Sequence, residues 1–155
     1  MKNEDIIRYK LGTGIDLHVI PDSKFKTVFI SYCFHRDLND DYSYNALLPA
    51  VLRRGCEGFE NLQQIERHLE NQYGAILDVG VQKKGERQIL RFSMDLVNEV
   101  YLSDMGLLAQ AFYFINRIIT KPVLKNSLFK KEYIDQEAEN LKNRIASLIN
   151  DKMSY

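Results

Sequence analysis

A chain of 155 residues, 45% of them hydrophobic, is long enough to bury one core, since domains of this size hide about two thirds of their unfolded surface. Lysine plus arginine and aspartate plus glutamate stand at 21 each, so no overall field gathers phosphates or draws the chain to anionic lipid, and nucleic acid is excluded as a default partner. The longest apolar runs, such as residues 107–114, fall short of the roughly 20 that a bilayer requires, and the start Met1-Lys2-Asn3-Glu4-Asp5 lacks an apolar signal core. A cytoplasmic chain without membrane contact is expected.

Residues 6–11 and 15–20 are rich in β-branched side chains and flank Gly12-Thr13-Gly14, which predicts a β-hairpin closed by Pro21-Asp22-Ser23. From Thr27 to His35 the alternation of Val28, Ile30, Tyr32 and Phe34 with Ser31, Cys33 and His35 predicts a third strand. Cys33 and Cys56 form no Cys-x-x-Cys pair and read as two buried thiols in a reducing compartment.

After the acidic loop of residues 37–41, Leu47, Leu48, Val51 and Leu52 mark a short helix, interrupted by Pro49 and stopped by Gly55. A second helix starts at Asn61, whose side chain can cap the Gln64 amide, and carries Leu62, Ile65, Leu69 and Tyr73 on one face before Gly74. Strands at 76–83 and 87–96 are joined by Lys84-Gly85-Glu86, with Leu90, Phe92, Met94 and Leu96 turned to the core. Ser103 or Asp104 is expected to cap a third helix bearing Leu107, Leu108, Ala111, Phe112, Ile115, Ile118 and Ile119, halted at Lys121-Pro122.

Asn126 is expected to cap the longest helix, with Ile134, Ala138, Leu141, Ile145 and Leu148 as its apolar stripe. No glycine or proline closes this helix before Tyr155, which reads as a domain cut within a longer polypeptide. The expected architecture is α+β: residues 1–155 form one amino-terminal domain, incomplete at its C-terminus, with an antiparallel sheet and helices packed on one face.

The chemistry is defined by what is missing. A hydrolytic zinc site needs about three convergent histidine or carboxylate ligands, usually two of them one helical turn apart. His18, His35 and His68 lie on three separate predicted elements with no His-x-x-x-His spacing. Cys33 and His35 share a strand face, yet no third or fourth ligand accompanies them, and a small thiol in a core strand accounts for Cys33 without metal. Nucleophile elbows, phosphate-binding loops and dinucleotide fingerprints are absent; Gly12-Thr13-Gly14 is a hairpin turn. Asp135, Glu137 and Glu139 among Lys130, Lys131 and Lys142 read as a solvated helix face.

The order of elements, and above all the segment Asn45-Ala-Leu-Leu-Pro-Ala-Val-Leu-Arg-Arg-Gly-Cys56, resembles the insulinase/pitrilysin family, which includes the mitochondrial processing peptidases. In active members this stretch reads His-x-x-Glu-His followed by an apolar triplet and Gly-Thr. Laid ungapped on Gly55, the resemblance puts the first histidine at Ala46, the catalytic glutamate at Pro49 and the second histidine at Ala50. The family's third ligand, a glutamate of the long helix, falls near Asn143 or Arg144. None of these positions holds the histidine or glutamate that the family pattern places there. Pro49 also removes a backbone donor, so restored side chains would stand on a helix that begins or bends there.

The chain is most similar to bacterial zinc-free members that accompany an active zinc-bearing homologue. The resemblance therefore implies no catalysis, no metal or other cofactor, and a partnership in which the zinc-free half supplies walls and substrate contacts of a peptide chamber. Peptide capture in the family adds a strand to a sheet edge; the counterpart here is Ile76, Leu77, Asp78, Val79, Gly80, Val81 and Gln82, with Gly80 permitting close backbone approach. The plain alternative is an ordinary edge strand. A scaffold module without a peptide substrate, and a peptidase with an unrecognised metal site, are the competing functions. Exposed apolar area near the cut end is expected to let the fragment self-associate.

Overall fold

A computed structural model describes residues 6–39, 41–103 and 105–150, with side chains as far as residue 147. The order of elements is β1 (Ile7–Gly12), β2 (Ile15–Val19), β3 (Thr27–Asp37), α1 (Tyr42–Leu52), α2 (Leu62–Asn71), β4 (Ile76–Lys84), β5 (Arg87–Val97), α3 (Leu107–Thr120), β6 (Leu124–Lys125), β7 (Leu128–Phe129) and α4 (Lys131–Asn150). The class is α+β with antiparallel sheets, as composition and patterning imply.

The central sheet has the order β3-β5-β4. Its register lines up Ile30, Met94 and Leu77, and beside them Tyr32, Phe92 and Val79, so one face is apolar along its length. Ile30, Leu77, Phe92, Met94 and Leu96 from that face pack with Ile65 and Leu69 of α2 and with Ala111, Phe114, Ile115 and Ile118 of α3. Period two meets period 3.6 at this seam, and the two patterns together produce one core. The expected α3 face is buried at Leu107, Ala111, Ile115 and Ile118, but Phe114 is buried with them while Phe112, expected on that face, stays 39% exposed.

Several local devices differ from expectation. Pro49 does not interrupt its helix: α1 runs through it, and the Arg53 amide donates to the Pro49 carbonyl at 3.1 Å. Only the bond that would reach the Asn45 carbonyl is lost, and the fully buried proline ring offsets that cost through packing. Gly55 is not a left-handed cap. It permits the chain to touch itself, since an added Cβ would lie 2.9 Å from the Glu60 backbone. The α3 cap is Gly106 at φ 94°, with Glu99 accepting from the Gly106 and Leu108 amides, so Ser103 has no capping role; Asp104 lies outside the described residues. Asn126 caps no helix. It forms the turn of the β6–β7 hairpin with Ser127, at φ 52° and 63°, a two-residue loop of the kind that needs positive φ at both positions.

The Asn61 cap stands as expected, accepting from the Gln64 amide at 3.0 Å. Tyr73 lies beyond α2 and is 49% exposed rather than on its buried face. The β1–β2 hairpin forms a separate two-stranded sheet. By register its Ile7, Tyr9, Leu17 and Val19 share one face and Arg8, Lys10, Asp16 and His18 the other. No described side chain of α4 belongs to the buried core; the helix lies on α1, tied by the Arg54–Glu137 ion pair and by the Tyr133 hydroxyl, which donates to the Glu60 carbonyl. Along its stripe Ile134 and Ile145 remain exposed, and Leu148 and Tyr155 lie outside the described side chains. Among the described residues no helix is long and apolar enough to cross a membrane.

Candidate functional site

The helix that resembles a metallopeptidase motif, the long helix and the candidate peptide strand meet around α1, which packs on α4, β4 and β5. Ala46, Pro49 and Ala50 stand at i, i+3 and i+4 and so share one side of α1, the spacing that two histidines and a base would need. They offer two methyl groups and a proline ring instead of donors. On α4, Asn143 and Arg144 are both exposed, and Arg144 lines a groove along the edge of β4. A guanidinium carries no lone pair for a cation and repels one. These residues do not fit zinc, and among the described residues no three histidine, cysteine or acidic side chains come together elsewhere.

The three histidines are far from any such arrangement. His18 sits on the polar side of the hairpin opposite Arg8, and His35 is exposed on β3 opposite Ile89. His68 is wedged between the rings of Phe59 and Phe114, with centroids 4.5 and 4.6 Å away. Burial, and then the Arg117 guanidinium, hold its pKa below the usual imidazole value. Cys56 is fully buried, and burial pushes its thiol up to about 11, against the smaller opposing pull of Arg117. Cys33, by contrast, is exposed on the outer sheet face, 3.5 Å from the Ser31 hydroxyl, and is not the buried thiol expected. The alternation placed it correctly on the sheet face opposite Ile30 and Tyr32, and on edge strand β3 that face is exposed at Cys33.

Among the described residues, β4 pairs with β5 alone and is the edge strand of its sheet. Its second side borders a groove of about 240 Å³ lined by residues 78–82, Arg91 and Arg144. Arg91 lies directly across from Gly80 in the β4–β5 register and donates to the Asp78 carboxylate at 2.6 Å. An added Cβ on Gly80 would meet nothing within 4 Å, so the glycine serves no close approach inside this chain; the space beside it is open. β4 is among the residues expected from sequence to form a peptide edge, whereas its neighbour Arg91 is not. The signal was available, because a turn at Gly85 fixes Gly80 opposite Arg91. The reach of Arg144 to this edge depends on how α4 crosses α1 and had no sequence signal.

No family model matches the chain. Over 144 residues it is 33% identical to a protein of Bacillus subtilis (strain 168) named probable inactive metalloprotease YmfF, a match that takes in 92% of this chain and 34% of that protein. The crystal structure of a conserved protein from Enterococcus faecalis V583 is similar at a TM-score of 0.88 and 34% identity, covering 97% of this chain and 36% of that one. The chain thus spans about a third of the length of these relatives.

Proposed function

We infer that this chain, a homologue of a protein named as an inactive metalloprotease, is a non-catalytic amino-terminal domain of the insulinase/pitrilysin type. It works in the cytoplasm as the substrate-chamber partner of an active, zinc-bearing homologue. The observation that carries the reading is an intact frame with erased chemistry. α1 and α4 pack together, yet the positions aligned with ligands and base hold Ala46, Pro49 and Ala50, and the long helix presents Asn143 and Arg144. Losing every donor while keeping the helices that would carry them suits a structural and binding role.

The contribution to peptide handling is the β4 edge. Among the described residues no strand pairs with its second side, and an extended peptide can add there as a further strand. The test co-expresses the intact polypeptide with a homologue bearing His-x-x-Glu-His, then measures sedimentation and peptide hydrolysis. Association at micromolar concentration, with hydrolysis greater than that of the homologue alone, is the expected result. Two proteins that never associate, with full activity in the homologue alone, would replace this reading with a scaffold module.

A further inference from the structure

We propose that the groove along β4 selects peptides carrying an acidic side chain, and that Arg144 is the residue that makes the selection. The proposal rests on the edge-strand reading above and adds the class of peptide to it. In the groove two guanidinium groups, those of Arg91 and Arg144, face one carboxylate, that of Asp78. Arg91 and Asp78 hold each other at 2.6 Å across neighbouring strands. Among the described residues Arg144 forms no ion pair, so the groove carries one positive charge in excess.

Geometry ties that charge to a particular place on a bound strand. Asp78, Gly80 and Gln82 point to one side of the sheet, and Gly80 leaves an opening there beside Arg91. A peptide added to β4 sets every second side chain on that same side, about 4.7–5.5 Å from the β4 position it faces. The side chain paired with Gly80 meets no Cβ and borders the groove that Arg91 and Arg144 line. A carboxylate there accepts from a guanidinium whose planar fork suits it, without displacing Asp78 from Arg91. A lysine at the same place meets an uncompensated like charge.

The strength expected is that of a partly exposed ion pair, about fivefold in affinity at low salt and shrinking as salt screens it. Labelled ten-residue peptides of alternating threonine and valine, with glutamate, glutamine or lysine at one central position, are titrated against the 155-residue chain by fluorescence anisotropy. The expected order is glutamate, then glutamine, then lysine. Arg144→Ala removes the preference and leaves the glutamine peptide bound as before; Arg144→Glu inverts it, so that the lysine peptide binds best. Arg144 is exposed, so these variants retain the fold, checked by circular dichroism. Equal binding of the glutamate and glutamine peptides overturns the selection while leaving the edge strand as a peptide site. Equal weakening of all three peptides by Arg144→Ala makes the residue a backbone contact and also overturns it. Failure of every peptide to bind removes the edge-strand reading and this proposal together.

Discussion

At the scale of single residues, the positions on which the proposed loss of catalysis rests and a glycine required by packing lie close together in and after α1. Writing back Ala46→His, Pro49→Glu and Ala50→His supplies two ligands and a base but no third carboxylate, and Arg144 keeps a cation on the long helix. That triple variant is expected to show no chelator-sensitive turnover, measured with a quenched peptide in the presence of zinc. Five residues past Ala50, Gly55 is required by shape. Gly55→Ala drives a methyl group into the Glu60 backbone and is expected to cost about 1–3 kcal/mol in urea unfolding, whereas Gly80→Ala, which meets open space, changes stability little. His68 contributes a pH dependence of known sign. Its folded pKa lies below the ordinary value of 6.5, so the unfolded chain takes up the proton first as pH falls. Stability is full above about pH 6.5 and declines below it; His68→Gln is expected to flatten that part of the profile between about pH 7 and 5, above the carboxylate range.

Among the elements, the two β-ribbons behave differently from the central sheet. The β1–β2 hairpin has only its own strand pair and an apolar face on which Ile7, Tyr9, Leu11 and Ile15 are between 42% and 63% exposed. A lone two-stranded ribbon is marginal in water. Its amides are expected to exchange far faster than those of β5, which is paired on both sides and buried at Phe92, Met94 and Leu96; hydrogen exchange read by mass spectrometry checks this. α1 shows how tertiary packing overrides propensity. A proline in mid-helix costs about 3 kcal/mol in isolation, yet α1 continues because the ring is buried and the flanking Val51 and Leu52 anchor the turn after it. α4 is amphipathic by pattern but its described side chains lie outside the buried core; it packs on α1 and is joined to the chain before α2 by the Arg54–Glu137 ion pair and the Tyr133–Glu60 hydrogen bond.

For the whole molecule, the apolar surface left open has a measurable consequence. Phe25 and Phe29 are 63% and 61% exposed, and with the hairpin face they leave a large uncovered area on a chain that spans about a third of its relatives' length. The isolated chain is expected to self-associate in a concentration-dependent way in sedimentation, and Tyr9→Lys with Ile15→Thr on the hairpin is expected to shift it toward monomer. Cysteine chemistry reads out the same inside and outside. Exposed Cys33 is expected to alkylate at neutral pH while Cys56, with its thiol raised to about 11, reacts only on unfolding.

The sequence by itself determined the class of fold, the alternation of each long strand, the pairing of β4 with β5, the Asn61 cap and the lack of metal donors at Ala46, Pro49 and Ala50; the pairing of β3 with β5 came only with the tertiary structure. These are local properties: side-chain alternation, turn residues and the identity of an atom at one position. It misplaced the α3 cap, the role of Asn126, the exposure of Cys33 and the continuity of α1 through Pro49. Each of those depends on groups brought together by the fold, whether Glu99 reaching forward to Gly106, a strand pairing across Asn126-Ser127, the packing that buries the Pro49 ring, or the edge position of β3 that leaves Cys33 exposed. The groove belongs to the same class. Arg91 comes to Gly80 through strand register, and Arg144 comes to both only because α4 crosses α1, a placement set by packing between surfaces rather than by any pattern within one of them.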